Sequence, residues 1–317
     1  MKVLVTCPPM LGMFEEFLEP AKALDIELVA AKTTQILTED ELIELLPHYD
    51  GWIIGDDPAT KQVFEAGITG KLKAAVKWGI GVDNVDFAAC KELNIPIINT
   101  PNMFGGEVAD VAISFLLGLA RETFFIDRDI RNNIGWPKPA GMSVAGKTVG
   151  VVGFGDIGKS TVKRLSGFDV NAVVYDPGIE GDQGFDFVSR KNFPDGLEEL
   201  DFIIFTCALN KHNFHMLDEQ AIAKLKAGAK VINVARGPLI DEYALIAALQ
   251  SGHVSAAALD VFEEEPLPKT SPLREMPQCI FGSHNGSNTK EGVRRATFEA
   301  ISKMAGFFNR DKVNGKQ

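Results

Sequence analysis

Cysteine is scarce in this chain of 317 residues, and the four that occur are widely separated. They stand at Cys7, Cys90, Cys207 and Cys279. This spacing contains neither a CxxC pair nor the closely spaced ladder that builds a disulfide scaffold. A reducing compartment is the simplest setting for such a sequence, so we expect a cytoplasmic protein.

Positive charge is also in short supply. The sequence has 32 lysines and arginines against 43 aspartates and glutamates, which gives a net charge of −11. Because no surplus of basic residues is available to neutralise phosphates, a general nucleic-acid binder or a protein of anionic membrane surfaces is disfavoured. A local pocket lined by basic residues is still compatible with this net charge.

Long apolar runs are missing as well. No stretch approaches the ~20 apolar residues of a membrane span, and the first residues lack the apolar core and cleavage site of a signal peptide. Hydrophobic residues make up 45% of the chain and charged residues 24%, which is typical of a globular protein. The length suits two domains of ordinary size, and we expect no membrane contact.

Short apolar runs alternate with longer helical patterns, which is typical of βαβ units and a parallel sheet. The early strand candidates are Val3–Thr6, Glu27–Ala30, Gly51–Ile54, Ala75–Lys77 and Pro96–Asn99, with helices predicted over Glu39–Leu46 and Val85–Lys91. A second series begins with Thr148–Val152 and ends near Phe281. The sequence therefore predicts two α/β domains.

Helical spacing of apolar residues continues between and after these series. Gly106–Arg131 has the pattern of a helix that buries one broad stripe, and a Gly- and Pro-containing loop, Gly135–Gly146, follows it. The last helix, from about Lys290 to Phe308, has no strand left to pair with in the second series. It could pack back on the first domain, which would make that domain discontinuous.

A glycine fingerprint follows the apolar strand that starts the second series. Gly153, Gly155 and Gly158 form a GxGxxG run that leads into a helix. The first glycine allows a tight turn, the second lets a pyrophosphate approach the backbone, and the third lets helix pack on strand. Phosphates would bind at the helix N-terminus, where free N–H groups favour negative charge.

An acidic residue ends the next predicted strand, Ala172–Tyr175. Asp176 is placed to bond both hydroxyls of a ribose, and its charge would repel a 2′-phosphate. The sequence therefore predicts NAD rather than NADP. A glycine-rich turn of purely steric origin is the alternative interpretation.

Three further strand-like runs end in polar residues at Arg236, Asp260 and His284. In a doubly wound sheet, ligands bind beyond the carboxyl ends of the strands, so these side chains can converge on a nicotinamide. Each also has an ordinary structural interpretation: Arg236 as a surface ion pair, Glu265 as one of three solvated carboxylates, and His284 as a capped loop residue.

At these residues the sequence resembles the D-isomer-specific 2-hydroxyacid dehydrogenases, the family of phosphoglycerate dehydrogenase. The motifs that carry the resemblance are Gly79-Ile80-Gly81-Val82-Asp83-Asn84-Val85-Asp86, Asn99-Thr100-Pro101, Gly146-Lys147-Thr148-Val149-Gly150 with the glycine fingerprint, Asn233–Glu242, and Ala258-Leu259-Asp260-Val261-Phe262-Glu263-Glu264-Glu265-Pro266-Leu267. Together they extend over most of the chain.

The resemblance implies a fold of two doubly wound parallel-sheet domains, Rossmann- and flavodoxin-like. The cofactor domain, residues 101–287, would be inserted into a substrate domain formed by residues 1–100 and 288–317. It further implies NAD as cofactor, a small 2-hydroxy or 2-oxo acid as substrate, and a homodimer formed largely through the cofactor domain. The long helix after Pro101 would take part in that dimer.

The same resemblance implies a role for each site residue. Arg236 would bind the substrate carboxylate and polarise the reacting carbonyl as a planar, permanently charged fork. His284 would be the acid in reduction and the base in oxidation, with Glu265 orienting it and stabilising imidazolium. Asp260 resembles the residue that holds the nicotinamide carboxamide. Further cofactor-lining positions are Asp156, Ile157, Cys207, Val234, Ala235 and Gly286, and the N–H groups around Gly79, Ile80 and Gly81 would receive the substrate carboxylate.

One departure from the family pattern limits the substrate. Where phosphoglycerate dehydrogenases commonly present Arg-Ser, this chain has Asp56-Asp57. A phosphate would meet two carboxylates there, unless a basic residue such as Lys61 or Lys77 intervenes. We expect either an unphosphorylated 2-oxo acid or another basic group that takes the phosphate.

Three other interpretations concern features outside this catalytic set. His212 and His215 form an HxxH pair that could suggest a metal, but without a clustered third ligand a solvated loop is favoured and no metal is expected. Cys207 is favoured as a small buried residue beside the adenosine over a nucleophile.

An NAD(H)-sensing, corepressor-like binding protein is the alternative function, although the full Arg–Glu–His set fits an enzyme better.

Overall fold

A computed structural model describes residues 1–33, 35–179 and 184–314 of the chain, which divides into two units. Unit 1 comprises Met1–Met103 and Asn288–Gln317, and unit 2 comprises Phe104–Ser287. The substrate role assigned to the first of these from the sequence stays a prediction.

Parallel strands form the centre of unit 1. In its described residues they are β1 (Lys2–Val5), β2 (Glu27–Ala30), β3 (Gly51–Ile54), β4 (Ala74–Lys77) and β5 (Ile97–Asn99). Their order is β2-β1-β3-β4-β5 with every pair parallel, which is the doubly wound, flavodoxin-like order. The predicted strands are confirmed, and β3 and β4 are buried at every position, as expected for a sheet covered on both faces.

Helices connect these strands. They are α1 (Pro8–Leu11), α2 (Glu15–Lys22), α3 (Glu39–Leu45), α4 (Lys61–Thr69) and α5 (Phe87–Glu92). The helix α3 begins at a capping box in which Thr38 and Glu41 satisfy each other's backbone N–H groups. The helix predicted from Val85 begins two residues later, because the side chain of Asp86 caps it by accepting from Ala89 N at 2.8 Å.

Unit 2 opens with a helix that the sequence predicted as one long element, and this prediction was wrong. The structure has α6 (Gly105–Arg121) and α7 (Thr123–Asn133), separated by Glu122 in the left-handed conformation at φ 54°. The break lets Phe124 fold back on α6, where a Cβ added at Gly118 would lie 2.5 Å from its ring. Packing of this aromatic ring therefore replaces continuation of the helix.

The sheet of unit 2 is also parallel throughout. Its described strands are β6 (Thr148–Val152), β7 (Asn171–Tyr175), β8 (Val188–Arg190), β9 (Phe202–Phe205), β10 (Ala229–Asn233), β11 (Val254–Leu259) and β12 (Cys279–Phe281). They lie in the order β12-β11-β10-β9-β6-β7-β8, the Rossmann succession with one further strand. The succession reverses between β6 and β9, so the residues that follow β6 lie at the switch point where such sheets bind ligands.

The remaining helices complete both units. Unit 2 has α8 (Asp156–Leu165), α9 (Glu219–Lys224) and α10 (Glu242–Ser251), and α8 packs against α6. The last helix, α11 (Lys290–Asn314), packs on α2 and β4 within unit 1. None of the helices in the described residues is both long and apolar enough to cross a membrane.

Candidate active site

The glycine fingerprint forms the turn between β6 and α8. Gly153 has φ 93°, and a Cβ there would lie 2.7 Å from the Cα of Cys207. A Cβ at Gly158 would collide with the carbonyl oxygen of Gly153, whereas one at Gly155 would meet nothing within 4 Å. The first and third glycines therefore permit close packing, and the second opens the backbone to a ligand.

A threonine that sequence reasoning missed holds this turn in place. The hydroxyl of Thr206, which follows β9, donates to the carbonyl oxygens of Val152 and Gly153 at 3.0 and 2.9 Å. Its signal was available, because it is a polar residue directly after a fully apolar strand next to the switch point.

Asp176 stands at the end of β7 and reaches back to the fingerprint. Its Oδ2 accepts the N–H of Phe154 at 2.7 Å, and its Oδ1 accepts the N–H of Gly178 at 2.8 Å. A carboxylate oxygen has more than one acceptor position, so these bonds orient the side chain and leave it able to accept ribose hydroxyls. An open glycine, a helix N-terminus and this carboxylate together fit a dinucleotide.

Other predicted cofactor positions surround the turn. Asp156 and Ile157 are partly exposed in the first turn of α8. Burial raises the pKa of Cys207 to about 11, which keeps its thiol protonated and supports the interpretation that it is no nucleophile. Val234 and Ala235 are buried, with exposures of 5% and 7%.

Arg236 follows β10 in a turn built by a buried asparagine. The side chain of Asn233, 1% exposed, donates to the carbonyl oxygen of Arg236 at 2.8 Å and accepts from Ala235 N at 3.0 Å. The guanidinium donates to Ala235 O at 2.8 Å. Sequence reasoning gave Asn233 no role of its own, although a buried polar residue at a strand end is a signal for one.

Asp260 and His284 follow the next two strands, β11 and β12. The carboxylate of Asp260 is 3% exposed and accepts the N–H groups of Asn285 and Gly286 at 3.1 and 2.9 Å. The N–H of His284 donates to Asp260 O at 2.6 Å, and this histidine has the left-handed φ of 55°. The loop that carries the histidine is therefore tied to Asp260 at three successive residues.

The ring of His284 meets the carboxylate of Glu265. Its Nδ1 lies 2.7 Å from Glu265 Oε2, and Glu265 Oε1 accepts the N–H of Phe262 at 2.9 Å. Both side chains are about one quarter exposed, so they remain accessible to a small molecule. Since Nδ1 faces the carboxylate, Nε2 is the ring nitrogen remote from it.

In unit 1 the predicted carboxylate-binding loop follows β4. Gly79 has φ 106°, a conformation that favours glycine, and its N–H donates to the buried hydroxyl of Thr100 at 2.7 Å. The carbonyl oxygen of Ile80 accepts from Asn99 at 3.1 Å. The N–H of Gly79 is thus engaged within the protein, which directs any role in anion binding to Ile80 and Gly81.

The two aspartates after β3 differ in surroundings. Asp57 is fully buried and accepts from the hydroxyl of Thr6 and from Leu37 N and Gly55 N, while burial raises its pKa. The other, Asp56, lies 3.1 Å from Nζ of Lys77, whose side chain is 3% exposed. Asp57 is therefore part of the structure of this strand end, and Asp56 forms an ion pair with Lys77.

The HxxH pair does not act as one unit. His212 is exposed, which fits the solvated-loop interpretation. That interpretation was wrong for His215, whose Nε2 lies 2.8 Å from Glu263 Oε1 and whose Nδ1 lies 3.9 Å from Asp241 Oδ2. The two carboxylates, Asp241 and Glu263, come from segments distant along the chain, so the sequence around the HxxH pair does not reveal them.

Comparison with known families shows which family this chain belongs to. The family described as D-isomer specific 2-hydroxyacid dehydrogenase, NAD binding domain, matches residues 113–286. The chain belongs to this family. It is an NAD-dependent oxidoreductase of 2-hydroxy and 2-oxo acids, and the fold and cofactor predictions are confirmed.

Several relatives share most of the chain. A hydroxypyruvate reductase of Thermotoga maritima is 34% identical over 280 residues, which covers 86% of this chain and 89% of the relative. A D-3-phosphoglycerate dehydrogenase of Methanocaldococcus jannaschii is 35% identical over 267 residues, and the match spans only 50% of that longer protein.

Solved structures extend the likeness to the full fold. The TT0316 protein from Thermus thermophilus has a TM-score of 0.86 at 26% identity, covering 98% of this chain and 97% of that one. The apo-structure of D-lactate dehydrogenase from Escherichia coli has a TM-score of 0.82 at 25% identity, with coverage of 98% and 97%. These relatives are reductases or dehydrogenases where their names state a function, which gives the alternative of an NAD(H) sensor no support.

The glycine geometry makes a paired prediction. Gly155→Ala should leave the free energy of unfolding near that of the wild type, because its Cβ enters open space, but should weaken NADH binding about tenfold by blocking the backbone. Gly158→Ala should lower the free energy of unfolding by ~1–3 kcal/mol, because its Cβ meets a backbone oxygen. Urea denaturation and fluorescence titration with NADH measure both. Wild-type NADH affinity in Gly155→Ala would remove that glycine from the pyrophosphate site.

Proposed function

We propose that this enzyme uses NADH to reduce a small, unphosphorylated 2-oxo acid to the D-2-hydroxy acid, and catalyses the reverse reaction with NAD. The observation that carries the proposed chemistry is the 2.7 Å contact between His284 Nδ1 and Glu265 Oε2. Hydroxypyruvate and glyoxylate are the candidates, since several relatives are named as reductases of these acids.

The proton comes from the histidine in this proposal. The chemistry that a bound nicotinamide supplies is hydride transfer to C2. His284 Nε2 donates the proton that the oxygen on C2 then requires, and in the oxidation it takes that proton back. The carboxylate of Glu265 holds the ring in one orientation and stabilises its protonated form.

We assign the substrate carboxylate to Arg236 in unit 2. The guanidinium offers a planar set of donors that matches a carboxylate and polarises the adjacent carbonyl. In unit 1, carboxylate binding by backbone N–H groups stays a prediction for Ile80 and Gly81, whereas Gly79 shapes the loop and donates to Thr100. Asp260, Gly286, Asp156, Ile157, Cys207, Val234 and Ala235 are retained as proposed cofactor contacts.

The preference for an unphosphorylated substrate rests on the charges after β3 and β4. The two basic residues that could have held a phosphate face carboxylates instead: Lys77 lies 3.1 Å from Asp56 and Lys61 lies 2.5 Å from Glu92. Because each lysine already faces a carboxylate, the positive charge that these two residues offer to a dianion is weakened.

We also propose a cytoplasmic homodimer. The four cysteines are free thiols, and three of them are buried, which suits a reducing compartment. Ile134 and Trp136, which follow α7, are 94% and 78% exposed, and Ile130 on α7 is 41% exposed. Apolar side chains grouped in this way on a surface are suited to cover each other in a pair of chains.

Removal of the proposed acid should stop proton transfer without disturbing cofactor binding. We expect His284→Gln to lower kcat for reduction by ~10²–10⁴-fold, with NADH affinity near that of the wild type because the glycine turn and Asp176 are untouched. His212→Gln is the matched control, since this histidine is exposed in the same unit. Steady-state kinetics and NADH titration measure these effects, and near-normal turnover in His284→Gln would exclude it as the acid.

Substrate choice should follow the charge at Asp56. The wild type should prefer hydroxypyruvate to 3-phosphohydroxypyruvate in kcat/KM by about tenfold or more. Asp56→Asn should narrow this preference, because Lys77 then keeps its positive charge while an acceptor remains beside it. The contradictory result is a wild type that prefers the phosphorylated acid and an Asp56→Asn variant that leaves the ratio unchanged.

The proposed dimer predicts a change of mass. Wild-type protein should have twice the mass of one chain in light scattering after size exclusion, and Trp136→Glu should shift it toward the single chain by placing a charge in the apolar surface. Tyr243→Glu is the control, because this aromatic is 83% exposed on α10. A wild type with the mass of one chain would refute the proposal.

A further inference from the structure

A histidine and three carboxylates lie together on the segments that carry Arg236 and Glu265. We define the His215 cluster as His215, Asp241, Glu242 and Glu263, all in unit 2. Asp241 and Glu242 begin α10, directly after the turn of Arg236, and Glu263 stands two residues before Glu265. The cluster is therefore adjacent in sequence to both proposed active-site residues.

The two active-site segments touch each other through their backbones. A Cβ added at Gly237 would collide with the carbonyl carbon and oxygen of Phe262 and would lie 2.5 Å from the nitrogen of Glu263. At such close approach, a small shift of one segment moves the other. The relative position of Arg236 and Glu265 thus depends on the bonds that fasten these segments.

Two reciprocal hydrogen bonds between Glu242 and Glu263 join the two segments. The N–H of Glu242 donates to Glu263 Oε1 at 3.0 Å, and the N–H of Glu263 donates to Glu242 Oε2 at 3.4 Å. Each glutamate therefore binds the backbone of the other segment. This arrangement also brings two carboxylates close together, which costs free energy.

His215 adds a third segment and a group of opposite charge when protonated. The backbone N–H of His215 donates to the carbonyl oxygen of Pro238 at 2.8 Å, in the turn after Arg236. Its ring lies 2.8 Å from Glu263 and 3.9 Å from Asp241, so it stands between the two acidic segments. Burial raises the pKa of Glu242, and the charges of Glu263 and Glu264 raise it further, which shows how crowded the carboxylates are.

The contacts favour an imidazole bridge over a cation site. The carboxylates of Glu263 and Asp241 approach different nitrogens of the ring. In addition, the oxygen of Glu263 that faces the ring already accepts the N–H of Glu242. A cation bound to one nitrogen would displace these contacts, whereas the imidazole alone lies within ion-pair distance of both carboxylates, at 2.8 Å from Glu263 and at the longer 3.9 Å from Asp241.

We propose that His215 is a positioning residue of the reaction: by pairing with Glu263 and Asp241, it fixes the spacing between the segments that carry Arg236 and Glu265. This inference rests on the roles proposed above for those two residues. A displacement far from the reacting atoms can still lower turnover strongly when it misplaces the groups that act on the substrate.

Kinetics of three variants test the inference. His215→Phe keeps a ring beside Phe214 but loses both nitrogen contacts, and it should lower kcat for 2-oxo acid reduction about tenfold with NADH affinity within about twofold of the wild type. His215→Gln keeps an N–H donor toward Glu263 and should recover most of kcat. His253→Phe is the control, because it removes a histidine contact to Ile222 O in the same unit away from this cluster.

The outcomes separate this inference from the proposed function. A wild type that reduces neither hydroxypyruvate nor glyoxylate would refute the proposed function. An active wild type, with a folded His215→Phe variant that has lowered thermal stability and unchanged kcat, would overturn the positioning role alone. If His215→Phe fails to fold, Glu263→Gln serves as the test variant instead. It keeps an acceptor for Glu242 N but weakens the pairing with His215. Its kcat should fall several-fold, and an unchanged kcat would overturn the role.

Discussion

Asp260 ends a buried strand with a carboxylate that is 3% exposed and that accepts two N–H groups from the loop after the neighbouring strand. These two bonds, together with the bond from the N–H of His284 to Asp260 O, hold His284 at φ 55°. This conformation costs about 1–3 kcal/mol in a residue other than glycine. The bonds to Asp260 offset this cost. They direct the ring to Glu265, so the proposed acid depends on a buried carboxylate that belongs to the sheet.

The parallel order of each sheet explains why the proposed site residues of each unit lie together. In unit 2, Arg236, Asp260 and His284 follow three adjacent strands at one edge, and the glycine turn follows β6 at the switch point of the same sheet. Unit 1 repeats the principle, since Asp56 follows β3 and Lys77 is the last residue of the neighbouring strand β4. Residues far apart in sequence thus become neighbours through strand order, and short-range motifs only mark where each strand ends.

Strands and the dinucleotide turn could be predicted because short-range pattern determines them: apolar runs of four or five residues and glycines at fixed spacing. The features that were missed depend on packing and hydrogen bonds that the spacing of residues along the chain does not show. Glu122 breaks a helix for the packing of Phe124 on Gly118, Gly79 donates its N–H to Thr100, and His215 lies against two carboxylates from other segments. Nothing in the sequence near Gly79 or His215 specifies the partners of those two residues.

The most direct test of the account is a double-mutant cycle on kcat/KM for 2-oxo acid reduction, with Glu265→Gln, His284→Gln and the combined variant. In this account Glu265 acts on the reaction only through the ring that lies 2.7 Å from it. The combined variant should therefore lose no more activity than His284→Gln alone, because residues that act as a unit are not additive. Losses that multiply would show that the two residues act independently and would contradict the account.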